Sequence, residues 1–178
     1  TPGAFYGWPW SYYGDRVDER VRPARPDMVA RAIRPDYALG AHTASLGLTF
    51  GEGTLMPLAL RNGAYVGQHG SWNRDPRNGY EVIFVPFAGG MPNGEPMKVL
   101  TGFVNARGQA MGRPVGVQFD ARGCLSEGSR SSFSWWDGGC WNFPSVETGR
   151  LPGTASAQLR SVLAQAGRPV RDVSWPGF

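Results

Sequence analysis

Hydrophobic and polar positions alternate most clearly between residues 63 and 87. In GAYVGQH, Ala64, Val66 and Gln68 alternate with Tyr65, Gly67 and His69, the period of two expected of a strand. In YEVIFVPF, Val82, Ile83, Phe84 and Val85 are apolar at consecutive positions, as in a strand covered on both faces. Between the two runs lies a loop longer than the about two to five residues a plain hairpin needs. Gly70-Ser71-Trp72-Asn73-Arg74 fills it with hydrogen-bonding groups around one large aromatic. Loops of this kind carry function on a rigid scaffold.

The same pattern recurs on either side. Strands are predicted at Leu46–Phe50, Met97–Val104 and Arg113–Asp120, the last with Val115, Val117 and Phe119 opposed to Pro114, Gly116 and Gln118. Turn chemistry separates them at Gly51-Glu52-Gly53, Arg61-Asn62-Gly63, Ala88–Pro96 and Asp120–Gly123. Residues 1–14 hold aromatics among Gly and Pro, and are expected to pack as loop or edge strand. Residues 15–37 are charged and broken by Pro23, Pro26 and Pro35, leaving room for two helical turns at most, at Met28–Ile33. Beyond Gly123 no alternation exceeds four residues. Only Ala155–Ala166 has helical spacing, through Leu159, Val162 and Leu163, with Thr154 or Ser156 as cap and Gly167-Arg168-Pro169 as stop. The prediction is therefore an all-β region over 1–123 and an irregular tail over 124–178. A sandwich, a barrel and a propeller all satisfy the β pattern.

Composition narrows the function. The chain has 26 Gly and 15 Pro in 178 residues, which suits many turns better than a helical bundle. Its net charge is +4, but the arginines are interleaved with acids, as Arg16, Arg20 and Arg22 are with Asp15, Asp18 and Glu19. No single-sign stripe results, so nucleic acid is not an expected partner. No apolar run is long enough for a membrane span. No signal peptide is visible in a chain that opens on Thr1-Pro2-Gly3. Cys124 and Cys140 fit neither a disulfide framework nor a four-ligand zinc site, and their pairing with each other stays open. No haem-attachment Cys-x-x-Cys-His is present.

FYGWPWSYYG, PDYALGAHTASLGLTF, YVGQHGSWNR, GYEVIFVPF, VLTGF and GRPVGVQFD, in that order over residues 3–123, resemble the L-sorbosone dehydrogenase group of soluble sugar dehydrogenases dependent on pyrroloquinoline quinone (PQQ). The resemblance implies a six-bladed β-propeller, of which this segment would be about two blades. It implies PQQ and Ca2+ as cofactors, a sugar or sugar-aldehyde substrate, a separate electron acceptor, and a periplasmic or secreted location. The family's catalytic histidine belongs to an earlier blade, so neither His42 nor His69 is given that role and no catalytic or metal-binding residue is assigned.

Cofactor binding is expected of Arg113, His69, Gln68 and Arg74, since the quinone's three carboxylates call for arginines and fixed donors. Substrate binding is expected of His42, Thr43 and Trp72. Each also has a plain structural reading: an ion pair for Arg113, a loop salt bridge to Asp75 for Arg74, a local hydrogen bond for His42. The text after Gly123 departs from the family's closing strand, which is read as a substituted or out-of-frame tail. Two further readings are a propeller remnant without activity and a carbohydrate-binding β domain that uses its aromatics as stacking platforms.

Overall fold

The computed structural model describes residues 2–120, 123, 124, 126 and 134–174. It divides into two compact units, Thr1–Ala38 and Leu39–Phe178.

In the first unit, strands β1 (Ser11–Tyr12) and β2 (Arg16–Val17) form a small antiparallel hairpin. Helix α1 is a single turn, Pro26–Val29, with proline in the first turn, where a missing N–H costs nothing. The aromatics of this unit pack only in part: Trp8, Tyr6 and Tyr12 are exposed, Phe5 lies against Trp10, and Trp10 and Tyr13 stand beside guanidinium groups. Arg25 lies 5.5 Å from the Trp10 ring, and Arg16 and Arg34 lie 5.6 and 5.4 Å from Tyr13.

The second unit is built on a mixed-length antiparallel sheet. β3 (Ser45–Phe50), β4 (Gly63–Gln68), β5 (Glu81–Ala88) and β7 (Met97–Leu100) pair in the order β3-β4-β5-β7, and the two-residue β6 (Met91–Pro92) adds to the far end of β5. Tyr65 opposes Phe84 and Gly67 opposes Val82, so one sheet face carries Tyr65, Phe84 and Val82. These close with Met56 into the core, flanked by Leu60, Leu100, Val117 and Phe119. The Tyr65 ring lies 4.9 Å from Phe84 and 5.3 Å from Phe119. Burial raises the Tyr65 hydroxyl above its ordinary pKa, so it stays a protonated donor to the Leu60 carbonyl, at 2.7 Å. β4 is buried along its whole length, not on alternate positions as its period suggested.

Two predicted strands change on inspection. The strand expected to reach Val104 ends at Leu100, ahead of Gly102, whose φ of +91° leaves the extended region. Residues 113–118 form no strand: Pro114 has no N–H to give a ladder. Their backbone instead lies directly over Gly47 and Gly67, and the Gly47 amide donates to the Val115 carbonyl at 2.6 Å. A side chain at Gly67 would stand 2.7 Å from the Val115 backbone, so glycine is what permits this approach.

The C-terminal region carries β8 (Trp135–Trp136), β9 (Trp141–Pro144), helix α2 (Thr154–Gln165) and β10 (Val170–Val173). β9 pairs antiparallel with β8 and parallel with β10, and α2 makes the crossover that a parallel pair requires. The helix falls where its spacing predicted. Its cap does not: Gly153 is the N-cap, with no side-chain cap bond from Thr154 or Ser156. Arg150 and Arg160 both pair with Asp172 of β10. Cys124 and Cys140 are not joined. Among the described residues no helix is long and apolar enough to cross a membrane.

Candidate functional site at the loop end of the sheet

The start of β3, the end of β4, the start of β5 and the end of β7 lie at one end of the sheet, through the pairs Ser45–Gln68, Gln68–Glu81 and Val82–Leu100. The loops before β3, between β4 and β5, and after β7 therefore converge there. The 69–80 loop is tied down by backbone bonds. The amides of His69 and Gly70 donate to the carbonyls of Ala44 and Thr43, at 3.0 and 2.9 Å, and the Ser71 amide donates to Asn78, at 2.8 Å. The Asn78 side chain donates to the Ala41 carbonyl at 2.8 Å.

Tyr80 is the hub of this loop. It is buried with φ of +62°, a backbone state costly for a bulky residue. Its ring lies flat on Gly70, where any side chain would collide with it. Its hydroxyl donates to the Ser71 carbonyl and accepts from Arg77 Nη1 at 3.0 Å. The Arg113 and Arg77 guanidiniums stand 4.9 and 5.7 Å from its ring centre. Arg113 further donates to the carbonyls of Gly70 and Ser71, at 3.2 and 3.4 Å. Its position is thus a brace for the loop, and among the described residues it makes no ion pair.

Outside this brace lies a cleft of about 590 Å³, lined by Trp72, Arg74, Asp75, Arg77, Tyr80 and Arg107 among others. Trp72 is 82% exposed. The expected site residues therefore separate. Trp72 and Arg74 share the cleft. Gln68 is buried at the end of β4, and His69 is half-buried beside it. His69 Nδ1 is buried with no hydrogen-bond partner among the described residues. Thr43 is buried and its hydroxyl bonds locally, to Gly40 O at 3.4 Å and Ser45 Oγ at 3.2 Å. His42 is exposed in a turn with φ of +63°. Arg74 makes no salt bridge to Asp75.

Arg77, Tyr80 and Arg107 were not anticipated from the sequence. The Asn78-Gly79 pair ahead of Tyr80, a turn-type dipeptide, was the available signal that the chain bends there. Arg77 Nε donates to the Gly108 carbonyl at 2.7 Å and so links the two walls of the cleft. No group of three or more His, Cys, Asp or Glu side chains suited to a metal gathers among the described residues.

Comparison with known proteins places this geometry. The chain is 46% identical over 57 residues to a pyrroloquinoline quinone-dependent pyranose dehydrogenase of Coprinopsis cinerea, a match spanning 32% of this chain and 7% of that protein. The PQQ domain of pyranose dehydrogenase from Coprinopsis cinerea, solved in its holo form, superposes with a TM-score of 0.51 at 27% identity, over 68% of this chain and 37% of that one. A Trichoderma reesei structure of carbohydrate-active enzyme family AA12 superposes with a TM-score of 0.53 at 22% identity, over 67% of this chain and 35% of that one, and shares the fold. The chain thus spans about a third of the structures it matches, and its β region is an open part of a β-propeller.

A model of class IV aminotransferases matches residues 103–175, less than half of the chain. The TrAA12-like family model matches residues 25–132, which include the whole sheet and every loop of the site, and the chain belongs to that family.

Proposed function

We propose that this chain is part of a PQQ-dependent oxidoreductase that oxidises a sugar or sugar aldehyde of the sorbosone or aldose type, and that its loop end faces the quinone. The observation that carries this reading is the Nδ1 of His69, buried without a hydrogen-bond partner among the described residues, next in the chain to Gln68 at the end of β4 and to Gly70, whose carbonyl accepts from Arg113. A buried polar atom without a partner is costly unless something supplies one, and a tricarboxylate quinone meets arginines and fixed donors with matched geometry. His69, Gln68 and the remaining N–H groups of Arg113 would hold it. Bound PQQ would supply the hydride acceptor.

The residues here would position it and shield one side from water. Arg74, expected beside the cofactor, is assigned instead to the cleft with Trp72. Calcium takes oxygen ligands, and no residue of this chain is assigned to it. The base that takes the sugar proton is likewise not assigned to His42 or His69.

The test is a dye-linked assay of protein containing this segment, reconstituted with PQQ and calcium. Acceptor reduction that requires both the quinone and a sugar, with L-sorbosone or an aldose such as D-glucose, is expected. Quinone binding with no sugar-dependent reduction would favour the inactive-remnant reading. That alternative has one observation behind it, the open apolar edge of β3.

A further inference from the structure

The cleft outside Tyr80 has its own chemistry. Three arginines, Arg74, Arg77 and Arg107, and one acid, Asp75, line it beside Trp72. Their roles divide. Arg77 is committed to the fold by its bonds to Gly108 and Tyr80. Arg74 and Arg107 make no side-chain hydrogen bond or ion pair among the described residues, so their guanidiniums are available to a ligand.

Arg107 is presented by a rigid turn. The Asn105 side-chain oxygen accepts from the amides of Arg107 and Gln109 at 2.9 and 3.0 Å, and the Gly108 amide closes on the Asn105 carbonyl at 2.9 Å. Trp72, 82% exposed, lines the same space with its indole, on the loop that Tyr80 and Arg113 brace. A flat ring face beside two free guanidiniums suits a ligand with an apolar ring face at one side and a carboxylate at the other. Asp75 adds an acceptor for hydroxyl donors.

We infer that the cleft binds an acidic saccharide, with its pyranose face on Trp72 and its carboxylate between Arg74 and Arg107. This adds an acidic-saccharide binding cleft to the oxidoreductase reading and rests on it. The test uses calorimetric titration of the full chain with D-glucuronate and D-glucose, which differ only in the carboxylate at C6, together with a separate titration with PQQ and calcium. Glucuronate is expected to bind saturably and glucose much more weakly. Arg74→Ala or Arg107→Ala should weaken glucuronate about tenfold, the loss of one charge-assisted bond, with unchanged far-ultraviolet circular dichroism.

Equal binding of the two sugars, or none of glucuronate, would overturn the inference. Displacement of glucuronate by the quinone would also overturn it, by giving the cleft to the cofactor, and would leave the oxidoreductase reading standing. Binding of glucuronate with no binding of quinone would do the reverse.

Discussion

Tyr80 shows how one residue determines a site that local patterns did not reveal. Its positive φ, its contact with Gly70 and its bonds to Ser71 and Arg77 are all long-range or strained features, invisible to a period-two reading. Tyr80→Phe removes the hydroxyl that both donates and accepts, and should destabilise the chain by about 1–3 kcal/mol, measured as a lowered urea midpoint.

That Trp72 and Arg74 are exposed together was legible, because a Trp among polar groups in an overlong loop has no core to enter. Arg113 was legible as important, but as a brace in place of an ion pair. A carbonyl partner from another loop cannot be read from charge pattern. In the first unit, the Arg20 side chain, with its Nε and Nη2 2.8 and 2.6 Å from the Asp18 carboxylate, lowers the Asp18 pKa from 3.8 to about 2. The folded value is depressed, so the pair's contribution is complete above pH 3.8 and is lost as the pH falls through about 2. Carboxyl-carbon NMR of Asp18 should titrate there, and a midpoint at the ordinary value would contradict the pairing. The Arg20 side chain is exposed while that of Asp18 is mostly covered, and an ion pair with one fully solvated partner adds little to global stability.

At the scale of elements, β3 and α2 were readable in position from their spacing, and β4 and β5 from apolar runs between turn signals. Burial follows the pattern less closely: β4 is buried at every position, and Leu48 of β3 and Val162 of α2 are exposed. Residues 113–118 were not readable in this way. Val117 and Phe119, two positions apart, do pack against the core of Met56 and Tyr65. Yet alternation reports which face is buried and not whether a neighbouring strand accepts the hydrogen bonds. What the segment finds is a pair of glycines, Gly47 and Gly67, across which its backbone fits. Gly67→Ala places a methyl group 2.7 Å from the Val115 backbone, and should cost about 1–3 kcal/mol through overpacking. The check is thermal unfolding, where an unchanged midpoint would mean the segment moves aside freely.

For the whole molecule, the sheet is open. β3 is an edge strand, and Leu46, Leu48 and Phe50 on it are 60, 59 and 57% exposed. An apolar edge of this kind favours association. Leu48→Lys should reduce concentration-dependent association in sedimentation velocity while leaving the unfolding midpoint nearly unchanged, as surface substitutions usually do. That the chain is part of a propeller was legible only through the family resemblance carried by motifs in order along residues 3–123, since the β pattern alone fits a sandwich or a barrel equally well. Which loops meet at one end of the sheet needed the register itself.

The measurement that bears most directly on this account is a titration of the chain with PQQ in the presence of calcium, comparing the unaltered protein with His69→Ala by the quinone's absorbance. Saturable binding at one site, weakened by loss of the His69 imidazole, is the predicted result. Equal binding by both proteins, or no saturable binding by either, would contradict the claim that this end of the sheet faces the quinone.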